Sequence, residues 1–162
     1  MMKLFTLVLA VSALLGCEPQ DRRPGVWLSG EVAATPADWA FVNDHDEILV
    51  ETQTWYGIPH SVTVVGATSP AGNVFVPSIY SAPMPFPGSK RWNKNIASDP
   101  NVRLKIGSRL YEMAARPAAD DAEFDEGFRA LAEQFDFWQT AYEDESKRPP
   151  FVIIRMEPRG AN

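Results

Sequence analysis

The sequence predicts a mainly β (α+β) fold, an antiparallel barrel of about six strands with helices packed outside it. About six segments carry the apolar pattern of strands, and short turns join most of them, as in hairpins. Three helical segments lie at the margins of these strands. The 162 residues contain no internal repeat, so we expect one domain large enough to bury a hydrophobic core.

The first residues are typical of a secretory signal. A basic start at Lys3 precedes an apolar run over residues 4–15, which is too short to span a bilayer as a permanent helix. The run ends in LLGC, at Cys17, which resembles the lipobox of bacterial lipoproteins. That resemblance implies a lipoprotein signal peptide over residues 1–16, a lipidated tether over residues 17–24 and a domain over residues 25–162.

The resemblance to lipoproteins also implies a location in the bacterial cell envelope. It implies membrane lipid as a partner, attached through Cys17. Glu18 rather than Asp follows the cysteine, so the usual inner-membrane retention signal is absent and the outer membrane is favoured. The alternative is an ordinary secretory signal with an incidental cysteine. Because Cys17 is the only cysteine, its lipidation would leave no thiol for a disulfide.

The first half of the domain is predicted to contain one short helix and a hairpin. Residues 35–38, TPAD, have the pattern of a helix start, with a Thr cap and an acid three residues later, and the helix ends near Asn43. Two strands over residues 47–54 and 60–65 flank a turn at residues 56–59 and form the hairpin.

The middle of the chain is predicted to place a loop before a second helix. A turn at residues 70–73 precedes a strand at 74–76, and the proline-rich stretch 81–88 is a surface loop long enough to cover a site. Ser89 is predicted to cap a helix that runs to about Ser98, where Asp-Pro stops it.

The last third is predicted to contain three strands and a long helix. Residues 102–106 alternate between apolar and cationic side chains, as in a half-buried strand, and residues 110–116 return as its partner. Apolar side chains recur at helical spacing from 120 to 139, which predicts one amphipathic helix. The continuous apolar segment 151–154 predicts a central or barrel-closing strand.

The segment from Lys90 to Phe124 resembles part of the split-barrel flavin and deazaflavin proteins, the superfamily of pyridoxamine 5'-phosphate oxidase and the deazaflavin-dependent nitroreductases. There, an aromatic residue and an Asn on a helix precede the pattern P-x-V-x-V-x-I-G. The corresponding residues here are Trp92, Asn95, Pro100, Val102, Leu104, Ile106 and Gly107. With the hairpin and the final strand, the resemblance covers about residues 46–157 and implies an antiparallel split β-barrel.

This resemblance implies FMN or a deazaflavin as cofactor and hydride transfer to a small acceptor. The start of the helix would bind the cofactor phosphate, because free backbone N–H groups and cationic side chains favour an anion there. The hairpin would hold the sugar and the ring. The candidate cofactor-binding residues are Thr52, Thr54, His60, Ser61, Ser89, Lys90, Arg91, Trp92 and Asn95.

Each of these candidates has a structural alternative. The cations Lys90, Arg91 and Lys94 can be a solvated face, and threonine is a common strand residue. His60 fits a surface turn better than a phosphate contact or a proton donor. The sequence shows neither metal-ligand spacing nor a nucleophile motif, so we predict no metal site and assign no catalytic residue.

Two functions are consistent with the sequence. The first is a lipid-anchored flavin or deazaflavin oxidoreductase. The second is a cofactor-free envelope lipoprotein that acts as a binding or structural module, and the hairpin turn at residues 55–60 favours it, because it lacks the Arg or Lys that many relatives use to bind phosphate. The net charge of −6 argues against a nucleic-acid partner. By analogy with relatives we expect a homodimer.

Overall fold

The strands of the domain form one curved sheet in the computed structural model, which describes residues 24–159. Within this range the strands are β1 (Glu31–Val32), β2 (Ile48–Thr52), β3 (His60–Val64), β4 (Ala67–Thr68), β5 (Val74–Ile79), β6 (Asn101–Ile106), β7 (Arg109–Pro117) and β8 (Phe151–Pro158). Their order is β3-β2-β6-β7-β8-β5-β4, with antiparallel neighbours, and β1 pairs parallel with β7. The antiparallel sheet predicted from the sequence is therefore confirmed. The predicted signal peptide and Cys17 lie outside the described residues.

Three α-helices and two 3-10 helices accompany the sheet in this part of the chain. The α-helices are α1 (Arg91–Ser98), α2 (Asp121–Gln134) and α3 (Asp136–Glu143), and the 3-10 helices are Ala40–Asp44 and Glu145–Lys147. Within residues 24–159, none of these helices has both the length and the apolar character needed to cross a membrane.

The main hydrophobic core fills the inside of the barrel. Successive side chains of a strand point to opposite faces, so alternate residues of each strand enter this core. Val50, Leu104 and Met113, from β2, β6 and β7, are fully buried in it. Trp92 and Ile96 of α1 join the same cluster, so this helix packs on the barrel interior.

A second core lies on the outer face of β5 and β8. Phe75 and Ile153 point outward from these strands and are fully buried under α2 and α3. Phe128 and Leu131 of α2 and Trp138 of α3 complete the cluster. Trp138 and the neighbouring Phe side chains therefore belong to a core.

The hairpin that supports the candidate site agrees with its prediction within two residues. Strands β2 and β3 pair with Thr52 opposite His60 and Ile48 opposite Val64. The two-residue strands β1 and β4 were not predicted from the sequence, because a two-residue segment is too short to show a periodic pattern.

A strap over residues 25–33 runs outside the barrel from β3 to β7. The backbones of Gly25 and Ser61 exchange two hydrogen bonds of 3.0 Å each. Further along, the amide of Leu28 donates to Glu51 Oε2 (2.6 Å) and the amide of Ala33 donates to the Leu110 carbonyl (2.9 Å). The strap therefore attaches the start of the domain to the hairpin.

The predicted helix start at Thr35 is wrong. The helix is a 3-10 helix that begins only at Ala40, and Asp38 Oδ1 accepts a hydrogen bond from the Ala40 amide (2.9 Å). Trp39, which precedes the helix, is buried in the barrel, and its carbonyl accepts from Thr68 Oγ1 (2.8 Å). Because of these tertiary contacts, the helix begins later in the chain than the local capping pattern indicates.

The single helix predicted over residues 120–139 is also wrong, because the chain forms two helices there. Phe135 has an extended backbone (φ −133°, ψ 126°) and separates α2 from α3. The apolar spacing continues across this residue, since Phe128 and Trp138 both contact the outer face of the sheet. The spacing of apolar side chains indicates which face is buried, but it does not reveal that one extended residue interrupts the helix.

Candidate functional site

A groove of about 540 Å³ opens between β3 and β5, where the barrel is split. Both strands have one side without a neighbouring strand over this stretch, because β3 pairs only with β2, and β4 covers only the first two residues of β5. The groove is lined by residues 62–65 and 77–79, by Lys90 just before α1, by Trp92 of α1, and by Phe135, Phe137 and Trp138 beside the second core.

The wall on β3 offers backbone hydrogen-bonding groups that no strand pairs. Because the N–H and C=O of Ser61 both bond Gly25, they point away from β2. Backbone groups in a strand alternate in direction, so those of Thr63 point the same way and face the groove. The hydroxyl oxygen of Thr63 is buried and also lacks a hydrogen-bond partner in the described part of the chain.

The wall on β5 presents fewer donors. The Tyr80 amide bonds the Pro150 carbonyl (2.7 Å), so the alternating residue Pro77 faces the groove, and proline has no N–H to leave unpaired. The buried side chain of Ser78 also lines the groove. Its Oγ accepts a hydrogen bond from Asn93 Nδ2 (2.9 Å), which leaves the hydroxyl hydrogen able to donate.

A network inside the barrel supports Ser78 from behind. Asn93 of α1 is fully buried, and its Nδ2 also approaches the Tyr80 hydroxyl oxygen at 3.4 Å. Burial raises the pKa of Tyr80, and the hydrogen bond from Asn93 opposes that rise in part. Asn93 Oδ1 has no partner among the described residues. The polar side of the groove is therefore held by α1.

The start of α1 brings one of the predicted cations to the groove. The helix begins at Arg91, and Lys90 precedes it with an extended backbone. No side chain caps this end, so the predicted capping role of Ser89 is wrong. Lys90 lines the groove and forms no ion pair within residues 24–159, and Trp92 lies beside it as part of the wall.

Two other predicted residues bind each other instead of lining the groove. Asn95 Nδ2 donates to Thr52 Oγ1 (2.8 Å), and Thr52 Oγ1 donates to the carbonyl of His60 (3.0 Å). The Thr52 side chain is fully buried. This pair attaches α1 to the hairpin. It therefore positions α1 and, with it, the preceding residue Lys90.

The hydroxyls of Thr54 and Ser61 are likewise engaged in the fold. Thr54 Oγ1 donates to the Ile58 carbonyl (2.6 Å) across the hairpin turn, and Ser61 Oγ donates to the Val26 carbonyl of the strap. Thr54 also lines a smaller cavity of about 350 Å³ between the hairpin and α1, together with Trp55 and Lys94. Neither hydroxyl belongs to the groove.

His60 is held in its neutral form near neutral pH. Burial of the imidazole, and secondly the positive charge of Arg91, lower its pKa below the usual value of 6.5. Its Nδ1 atom is buried without a hydrogen-bond partner in the described range. At pH 7 this residue is therefore unsuited to replace a cationic phosphate ligand, a role that requires a protonated ring.

Sequence reasoning missed Thr63 and Ser78, which supply polar groups to the groove. Both are ordinary strand residues by pattern, and only the unpaired strand edges make them candidates. Trp92 and Tyr80 are buried, whereas Trp55 and Tyr56 are exposed. Among residues 24–159, no group of three or more His, Cys, Asp or Glu is placed to hold a metal ion.

Several solved structures have a similar fold. HutZ, the heme storage protein from Vibrio cholerae, has a TM-score of 0.53 and 15% identity, over 75% of this chain and 87% of that protein. The conserved hypothetical protein Rv2991 from Mycobacterium tuberculosis has a TM-score of 0.52 and 16% identity, over 79% and 87%. A third structure, described as a domain-swapped dimer, has a TM-score of 0.52 and 16% identity, over 68% and 80%.

These likenesses concern the fold alone. The chain is an antiparallel split β-barrel with peripheral helices, and the predicted fold class is confirmed. No protein-family model matches this chain, and no curated protein sequence matches it.

Proposed function

We propose that the protein is a split-barrel flavoprotein of the cell envelope that binds FMN or a related deazaflavin in the groove between β3 and β5. The observation that carries this proposal is the composition of the groove, in which aromatic walls, unpaired strand-edge groups and the cation Lys90 meet. A volume of about 540 Å³ lies within the usual range for small-molecule sites, roughly 300–1,000 Å³.

The groove residues fit the chemistry of a flavin. Trp92 and Trp138 offer apolar surface to a planar ring. The polar edge of such a ring needs donors and acceptors, which the backbone of Thr63 and the hydroxyl of Ser78 supply. Lys90 would bind the phosphate as a point charge. When bound, the flavin would supply hydride transfer, while the chain binds and orients it and excludes water.

Haem is a weaker candidate, although one protein of similar fold is described as a heme storage protein. Haem iron is held by His, Cys, Met or Tyr side chains. Within the described part of the chain, none of these residue types lines the groove. His60 and Tyr80 are the nearest in sequence, and neither belongs to its walls.

A cofactor-free binding module is the second candidate function, and a specific observation favours it. The hydroxyls of Thr52, Thr54 and Ser61 all make hydrogen bonds within the chain, so the hairpin offers a cofactor fewer free groups than the resemblance implies. In this case the groove would take an apolar ligand without a phosphate, and Lys90 would not affect its affinity.

The experiment that separates the two is ligand titration with a matched pair of variants. A ligand that binds only the native state raises the melting temperature, so FMN, FAD, deazaflavin and haem are compared by thermal unfolding and absorbance. We expect Lys90→Glu to weaken FMN binding at least about tenfold, because it reverses a charge at the phosphate. Lys94→Glu makes the same charge change on α1 outside the groove and serves as control.

Three results would count against the flavin proposal. The first is the absence of any melting shift with all flavins, which favours the cofactor-free module. The second is an equal loss of affinity in Lys90→Glu and Lys94→Glu, which indicates a general charge effect. The third is a shift with haem alone.

The location and assembly are proposed on other grounds. We infer that lipid on Cys17 anchors the domain to the envelope, with the outer membrane favoured by Glu18, because the LLGC segment resembles a lipobox. We also infer a homodimer by analogy with relatives, and a protein of similar fold is described as a domain-swapped dimer. Sedimentation velocity measures this assembly state directly.

A further inference from the structure

The tip of the β2–β3 hairpin exposes large apolar side chains that neither the fold nor the groove uses. Trp55 is 92% exposed, and Tyr56 and Ile58 are each 46% exposed. The two aromatic rings contact each other edge to face, with centroids 5.3 Å apart. Adjacent exposed apolar side chains of this size mark a contact surface more often than isolated ones do.

Two cations of α1 lie next to this tip. Lys94 and Trp55 line the same cavity between the helix and the hairpin. Arg91 is close enough to His60, the first residue of β3, to lower the pKa of that imidazole. Neither Arg91 nor Lys94 forms an ion pair within residues 24–159. A chain with a net charge of −6 therefore places Lys94 beside the exposed Trp55 and Arg91 near the start of β3.

The path of the chain brings the proposed lipid anchor to the same place. Gly25, at the start of the described chain, is bonded to Ser61, the second residue of β3. Seven residue steps separate Cys17 from Pro24. Even a fully extended chain of that length spans at most about 25 Å. A lipid on Cys17 would therefore keep the hairpin side of the domain within about 25 Å of the bilayer.

From these three observations we propose that the tip and the adjacent cations form a membrane-contact surface, made of Trp55, Tyr56, Ile58, Arg91 and Lys94. The partner is a bilayer surface with anionic headgroups. Trp and Tyr favour the interface between hydrocarbon and water because their rings are amphipathic. Arg and Lys are attracted to anionic lipids. This inference rests on the proposed anchor and is independent of the proposed flavin.

The surface also explains why cations gather at the start of α1. Lys90 lines the groove, whereas Lys94 lines the cavity beside Trp55. Lys90, just before α1, thus supplies a charge to the groove, while Arg91 and Lys94 of α1 supply charges to the membrane-contact surface. Gly57 forms the turn at the tip with a positive φ of 81°, a backbone conformation that glycine adopts at little cost.

The test places the full chain, isolated with its lipid, in vesicles of phosphatidylglycerol and phosphatidylcholine with brominated acyl chains. Bromine quenches tryptophan within the bilayer, and iodide quenches tryptophan in water. The chain has five tryptophans, so the difference in emission between the native chain and Trp55→Phe reports Trp55. We expect brominated lipid to reduce this emission about twofold and vesicles to protect it from iodide.

Two matched variants serve as controls. Thr140→Trp in the Trp55→Phe background places a tryptophan at an exposed position outside both the surface and the groove, where we expect quenching by iodide and not by brominated lipid. Reversing both charges, Arg91→Glu with Lys94→Glu, should reduce the quenching by brominated lipid to about half with anionic vesicles and leave it unchanged with neutral ones.

Several results would overturn the proposal. Equal iodide quenching of Trp55 with and without vesicles would show that the tip stays in water. Protection from both quenchers would show that protein, such as a second copy of the chain, covers the tip. Flotation of the vesicles measures the anchor separately, and a chain that does not float overturns both the anchor and the surface. Flavin absorbance measures the proposed function in the same sample.

Discussion

His60 is the first residue of β3, in the hairpin. Burial of its imidazole, and secondly the charge of Arg91 in α1, lower its pKa. In the unfolded chain this histidine binds a proton near pH 6.5, whereas the folded protein binds one only at lower pH. The unfolded state therefore holds more protons just below pH 6.5. Because of that difference, the free energy of unfolding decreases as the pH falls through 6.5.

We expect His60→Gln to reduce this pH dependence, since glutamine takes up no proton. The measurement is urea unfolding of both proteins at pH 7.5, 6 and 5. The native protein should lose more stability than the variant between pH 7.5 and 5. An identical loss in both proteins would show that His60 does not contribute to it.

Glu123, near the start of α2, forms an ion pair with Arg116 through two hydrogen bonds. Its carboxylate accepts from Arg116 Nη1 (2.6 Å), from Arg116 Nη2 (2.9 Å) and from the Ala119 amide (2.6 Å). The bonds from Arg116 are the main cause that lowers the pKa of Glu123 to about 2. This stabilisation is therefore present above the ordinary pKa of 4.5 and is lost as the pH falls toward 2.

Glu123→Gln should lower the free energy of unfolding by about 1–3 kcal/mol at pH 7, because it removes a charged acceptor from Arg116. The difference from the native protein should decrease between pH 4.5 and 2.5. Glu133→Gln, at an exposed position of the same helix, is the control and should change stability by less than about 0.5 kcal/mol. A difference that is as large at pH 2.5 as at pH 7 would contradict the assigned cause.

Helix α2 lies directly on the sheet because Gly127 allows a close approach. A Cβ at this position would lie 2.6 Å from Ile153 Cγ2 and 2.7 Å from Phe75 Cδ1. Both neighbours are fully buried and have little room to move. The closeness of this contact matters for the candidate site, because α2 leads into α3, whose Phe137 and Trp138 line the groove.

Gly127→Ala should therefore destabilise the protein by about 1–3 kcal/mol through overpacking, although alanine favours a helix by about 1 kcal/mol. Thermal and urea unfolding measure the change. Ala122→Gly, at an exposed position of the same helix, reports the helix-propensity effect without the packing effect. A stabilised Gly127→Ala protein would show that the helix can move away from the sheet.

The whole molecule combines a groove at the split of the barrel with a strap that is attached beside the hairpin. The strap pairs with β3 next to the hairpin tip, and the groove opens further along the same strand. An anchor at the chain start would therefore hold the tip close to the bilayer surface.

Cys17→Ser should abolish lipid attachment and shift the protein from the detergent-soluble membrane fraction to the aqueous fraction or to an unprocessed precursor. The mass of the N-terminal peptide measures the attached lipid and the cleavage site. A native chain that carries no lipid at Cys17 would favour the alternative of an ordinary secretory signal.

Local sequence patterns were sufficient to predict most of the sheet. A period of two residues and the turn residues between segments are properties of neighbouring residues, so β2, β3, β6 and β7 follow from the sequence within a few residues. The same local character explains the errors. The capping pattern at Thr35 and Ser89 is common in sequences, and tertiary packing places the helix starts at Ala40 and Arg91 instead.

The site depended on the tertiary structure, because it is made of strand edges that lack a neighbour. Lys90 and Trp92 were predicted and line the groove, but the hydroxyls of Thr52 and Ser61 make hydrogen bonds within the fold. Thr63 became a candidate only because the sheet order leaves β3 without a partner on its outer side. Residue types and spacing indicate which chemistry is available, whereas long-range pairing decides which of those groups remain free to bind a ligand.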